Sequence, residues 1–110
     1  EIGRFLDRHD ITNFVMLGGD AHMVAIDDGT NSGYGGHDGF PILQAAALDR
    51  PGSTKGGPYS HGMFPGAGQF GLLEVTDDLS DRLGVTLVGL DYTGAELVRL
   101  NLSYDIARSP

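Results

Sequence analysis

The chain has no cysteine, few basic residues and no long apolar run. Without cysteine there are no disulfides and no thiolate metal sites, although the compartment stays open, since many exported proteins also lack cysteine. Seven Lys and Arg stand against fifteen Asp and Glu. That balance argues against a nucleic-acid binding surface, because phosphate backbones demand clustered Lys and Arg. No basic amphipathic stretch points to a membrane surface, and no transmembrane segment or signal peptide is read in the sequence. No internal repeat recurs, so neither collagen nor a solenoid fits. The first residues, EIGRFLDRHD, have no initiating Met and read as the middle of a structured region. The expectation is a piece of a larger protein, one domain of 110 residues with enough chain for a real core.

What the chain does have is glycine: 18 of 110 residues, more than twice the average usage of about 7%. Fourteen of the eighteen lie between Gly18 and Gly71, so they mark one region. Residues 27–40, DDGTNSGYGGHDGF, read as a polar loop, and residues 49–68, DRPGSTKGGPYSHGMFPGAG, as a second. Loops this long are uncommon in compact domains and tend to be functional or disordered.

The apolar pattern around these loops gives the elements. Ile2, Phe5, Leu6 and His9 keep helical spacing, so residues 1–9 are expected to be a short helix. Phe14 to Leu17 is a continuous apolar run, the pattern of a strand covered on both faces. Residues 40–48, FPILQAAAL, read as a second buried strand. Gln69 to Val75, Val85 to Tyr92 and Leu97 to Tyr104 read as three more, with an acidic turn at Asp77 to Asp81 and a hairpin at Thr93-Gly94. The expected class is α/β (an α+β fragment), with the C-terminal antiparallel meander forming the edge of a mixed sheet.

Residues 16–24, MLGGDAHMV, are the stretch most suggestive of chemistry. The apolar run ends in Gly18 and Gly19, then Asp20 and His22 follow one residue apart. In an extended strand, residues i and i+2 share a face, which would project the carboxylate and the imidazole together. Glycines without side chains let another group approach the backbone, and ligands bind at the carboxyl ends of strands in open α/β sheets. A carboxylate and an imidazole side by side suit a metal cation. The same pattern also fits an ordinary turn with Asp capping a backbone N–H, and two ligands are too few for a dinuclear centre.

VMLGGDAHM resembles the last metal-binding motif of the PhoD-like (alkaline phosphatase D) metallophosphatases, a branch of the calcineurin-like metallophosphoesterases, in which a buried strand runs into Gly-Asp-x-His. Here those positions are Gly19, Asp20, Ala21 and His22. The order that follows is also similar: a variable loop, FPILQAAAL, a loop rich in Gly and Pro, then GQFGLLEV and a closing hairpin. The resemblance covers essentially the whole chain, residues 1–110, as the C-terminal part of one metallophosphatase sandwich domain. The earlier motifs, which supply most ligands, are not recognisable here and are expected upstream in the remainder of the parent chain.

The resemblance implies metal-dependent hydrolysis of a phosphoester substrate, mono- or diester. It implies a dinuclear or multinuclear centre of iron and calcium, with His22 on the iron and Asp20 facing the calcium. The family's iron site also uses a cysteine, so that ligand is expected upstream or replaced. The family is often exported, secreted or periplasmic. On this reading the 110 residues alone are inactive.

Other residues carry weaker signals. Tyr59 and His61, in GGPYSHGMFPG, are candidates for substrate contact in a lid over the site, and His61 is a candidate proton donor to the leaving group. The other reading is a surface loop with an exposed His. Arg50 and Lys55 could attract phosphate, but the favoured reading is that of ordinary solvated charges. Asp27, Asp28, Asn31 and Asp38 could bind calcium but lack EF-hand spacing, and their segment reads as a flexible loop. The alternative function is a non-catalytic, β-rich binding module whose Gly-rich loops hold calcium or a glycan.

Overall fold

A computed structural model describes residues 1–33 and 36–107. Tyr34 and Gly35 of the first glycine-rich loop lie outside the described residues. The chain is a small mixed α/β domain, mostly strands in two sheets, with one short helix, α1 (Ile2–Arg8). No helix among the described residues is long and apolar enough to cross a membrane.

The first sheet holds four short strands: β1 (Met16–Gly18), β2 (Met23–Asp27), β3 (Ile42–Gln44) and β4 (Met63–Pro65). Their spatial order is β1-β3-β2-β4, with β1 parallel to β3 and the other pairs antiparallel. The second sheet is the meander β5 (Phe70–Asp77), β6 (Arg82–Leu90) and β7 (Glu96–Asp105), antiparallel throughout. The meander was expected at the edge of a mixed sheet. Instead it is a separate sheet that packs face to face on the first. Val24, Ile26 and Leu43 from one sheet meet Val85, Leu87 and Val98 from the other. Gly89 makes that approach possible, since a Cβ there would collide with the Val24 side chain.

The strand covered on both faces is β2, not β1. Every residue of β2 is buried. Val24 and Ile26 face the meander, while Met23 and Ala25 form a second cluster with Ala21, covered by Tyr59. The loop after residue 49 therefore roofs the outer face of the first sheet. β1 is instead an edge strand, and Leu17 is 60% exposed. In FPILQAAAL only Ile42–Gln44 pairs as a strand, and Leu48 is 75% exposed.

The edges β1 and β5 open on the same side. Between them lies a cleft of about 290 Å³ lined by Leu17, Leu48, Gln69 and Leu73, among others. The register sets Leu73 and Val75 opposite Leu87 and Val85, on the face turned toward the first sheet, yet Val75 is 57% exposed because β1 and β3 are too short to reach it. Unpaired edges with apolar side chains are templates for association. The net charge of −8 opposes it through self-repulsion. Self-association of the isolated chain is therefore expected to strengthen as salt screens that repulsion. Sedimentation velocity across salt and protein concentration checks this, and a monomer under all conditions would contradict it.

Candidate functional site: the Asp20–His22 turn

β1 ends at Gly18, and the chain then turns rather than continuing as a strand. Asp20 (φ 65°) and His22 (φ 49°) both adopt the left-handed backbone region. Side chains other than glycine rarely sit there, and such residues cluster at functional sites. Extended i, i+2 geometry is therefore not what brings the two together, although they do meet: His22 Nε2 lies 3.9 Å from Asp20 Oδ1. The pair stands at the carboxyl end of β1 on an open turn, and the Asp20 side chain is 91% exposed. The bare backbone at Gly18 is used by Gln44, whose amide lies over it and donates to Gly19 O at 2.7 Å.

The other face of the imidazole is fixed. His22 Nδ1 lies 3.2 Å from Pro51 O. A carbonyl only accepts, so Nδ1 carries the proton in this contact. The neutral ring then keeps its lone pair on Nε2, the nitrogen turned toward Asp20. Metal-bound histidines characteristically donate their second ring N–H to a carbonyl or carboxylate in this way. Two donors do not make a centre, however. Among the described residues, no group of three or more His, Cys, Asp or Glu converges to hold a metal ion. Asp20 and His22 fit a metal site as two members of a ligand set that needs further donors.

The segment 51–55 lies along this turn. Ser53 N–H donates to His22 O at 3.0 Å. Lys55 Nζ donates to Asp20 O at 3.0 Å and lies 3.9 Å from Asp20 Oδ2. Lys55, read from sequence as an ordinary solvated charge, is thus part of the cluster. No local pattern could have shown this, since 35 residues separate it from Asp20.

The structure does not bring His61 to the pair. Its N–H donates to Ile26 O at 3.0 Å, three residues and about 10 Å along β2 from Met23, which follows His22. Its Nδ1 lies 2.9 Å from Ser60 Oγ, at the far end of the strand beside Asp28. The Asp28 carboxyl is held below the usual carboxylate range, first by the Thr30 hydroxyl and N–H, with Ser60 and the charge of His61 contributing less. Tyr59 lies between the two ends, its ring on Ala21, Met23 and Ala25 and its hydroxyl 3.5 Å from Lys55 O.

Asp27 is not available as a cation ligand. It is buried, and its two oxygens accept from Gly29 N, Asn31 N, Asn31 Nδ2 and Ser60 N at 2.9–3.1 Å. Four donors occupy the roughly four lone-pair directions of a carboxylate. Ser32 Oγ further ties the loop by bonding Phe40 N and O. The described part of this loop is thus pinned by hydrogen bonds, where the sequence suggested a flexible one.

Compared with protein-family models, with curated proteins and with solved structures, the chain matches none. The functional reading therefore rests on the residues of the turn and what surrounds them.

Proposed function

We propose that the chain is the C-terminal part of a PhoD-like metallophosphatase and contributes Asp20 and His22 to a metal centre that hydrolyses phosphoesters. The observation that carries this is the His22 ring: Nδ1 against Pro51 O, Nε2 toward Asp20, on a backbone held at positive φ. The order of elements that resembles the family adds to it. The centre would hold two or more cations, iron and calcium by resemblance. Imidazole suits the transition metal, and the carboxylate suits the hard calcium ion. Bound metals supply Lewis acidity and an activated water. Asp20 and His22 orient that centre through a turn anchored on β1 and on Pro51.

The remaining ligands would come from the rest of the parent chain, whose strands would cover the open side between β1 and β5 and complete a metallophosphatase sandwich. Tyr59, packed on Ala21 with its hydroxyl 3.5 Å from Lys55 O, would touch the substrate beyond its phosphoryl group. His61 is drawn toward Asp28, so a role as proton donor is not supported by its position, and substrate contact there requires a substrate extending along β2. The rival is a β-rich module whose Gly-rich loops hold calcium or a glycan; its calcium form loses support at Asp27, whose oxygens are fully occupied.

The test is hydrolysis of p-nitrophenyl phosphate and its bis ester by the full-length parent protein and by the 110-residue chain. The parent is expected to turn over and to lose activity with a chelator, and the isolated chain to be inert. A metal-dependent turnover by the isolated chain, or an inert parent carrying its metals, would contradict the proposal.

A further inference from the structure

The contacts that fasten residues 51–55 to the Asp20–His22 turn do more than brace it. They place the chain's single lysine at the candidate metal ligands. The other cations seen in ion pairs, Arg82 with Asp105 and Arg99 with Glu96, sit on the meander and have their charge matched there. Lys55 is held differently. Its ammonium bonds to a main-chain carbonyl, Asp20 O, at 3.0 Å, while the Asp20 carboxylate stays at 3.9 Å, beyond hydrogen-bond range. The carbonyl positions the ammonium, and the solvated Asp20 carboxylate at 3.9 Å offsets only part of its charge. An ammonium has three N–H donors, so two remain for another acceptor.

We infer that Lys55 is a substrate-binding residue that contacts a non-bridging oxygen of the phosphoryl group at the Asp20–His22 centre; this rests on the phosphoester reading above. A cation fixed beside metal ligands is repelled by the metals unless an anion shares the site. A phosphoryl group is such an anion, and the ammonium gives it an attractive contact within a chain of net charge −8. Fixed cations aimed at the oxygens of a transferring phosphoryl group stabilise the charge they carry. The alternative, a mere counter-ion for Asp20, accounts poorly for a bond made to the carbonyl, and exposed pairs at this distance contribute little.

The experiment uses the full-length protein with Lys55→Met, Lys55→Gln and Lys55→Arg. Metal content is measured by mass spectrometry, kcat and KM with p-nitrophenyl phosphate, and inhibition with inorganic phosphate. Lys55→Met is expected to keep its metals while KM and the phosphate inhibition constant both rise about tenfold or more, the weight of a charge-assisted bond. Lys55→Gln, which keeps a donor but no charge, should behave similarly and stands in if Lys55→Met misfolds. Lys55→Arg should recover most of the loss. Unchanged KM and phosphate inhibition in the neutral variants would overturn the inference, as would metal loss in step with activity, which would make Lys55 only a brace. A wild-type protein that holds metal but does not hydrolyse the ester would instead sink the phosphoester reading, and this inference with it.

Discussion

His22→Ala in the full-length protein is expected to lose metal from the centre and to lower turnover by at least about a hundredfold. Removing even an outer partner of a metal ligand typically costs about 10- to 100-fold, and on the proposed reading the ligand itself is removed. The imidazole is set for the role: Pro51 O takes the Nδ1 proton, and Nε2 faces Asp20. Alanine at φ 49° also strains the backbone, so activity alone would not separate the two effects. His22→Asn does. Asparagine tolerates the left-handed region but brings no imidazole, so it should fold like wild type and still lose the metal. Full metal content with unchanged kinetics in His22→Asn would defeat the assignment. Pro51 contributes only a carbonyl, so substituting its side chain should leave metal content far less affected.

Asp27→Ala is expected to destabilise the fold by about 3–5 kcal/mol, because four part-buried N–H donors lose their acceptor. Two loops depend on that carboxylate, through Gly29 N, Asn31 N and Asn31 Nδ2 on one side and Ser60 N on the other. Each orphaned buried donor costs about 1–3 kcal/mol unless water reaches it. Against a typical total of about 5–15 kcal/mol, such a loss removes a large share of the stability. Asp27→Asn keeps the shape but turns one acceptor into a donor facing donors, and should fall between. Urea unfolding followed by circular dichroism reads the difference, and a midpoint within error of wild type in Asp27→Ala would contradict this role.

The meander was the most legible part of the fold. From Leu97 to Tyr104 the sequence alternates, and β7 follows that alternation, with Leu100, Leu102 and Tyr104 packed toward the core. β2 was passed over. Its apolar residues, Met23 to Ile26, are too few to announce a strand between two polar stretches, and their burial on both faces comes from partners far along the chain. β4 was hidden by a Gly- and Pro-rich context, and it pairs only at the edge of the sheet, where proline is tolerated. The meeting of Asp20 with His22 was legible from their spacing, although the backbone reaches it through two left-handed residues rather than an extended strand. Lys55 meets Asp20 across 35 residues and Asp27 meets Ser60 across 33, which no local pattern carries, whereas the bonds of Asp27 to Gly29 and Asn31 are local. Asp27 read as one more loop acid because composition does not distinguish a buried carboxylate from a solvated one.

A crystal structure of the full-length protein, with anomalous scattering recorded at the iron edge and at a wavelength sensitive to calcium, tests the central claim most directly. The account predicts a transition-metal peak about 2.0–2.1 Å from His22 Nε2 and Asp20 within about 2.3–2.6 Å of a second, calcium-like peak, with Lys55 beside them. Strong metal peaks elsewhere in the protein, with His22 Nε2 and the Asp20 carboxylate touching none of them, would contradict it.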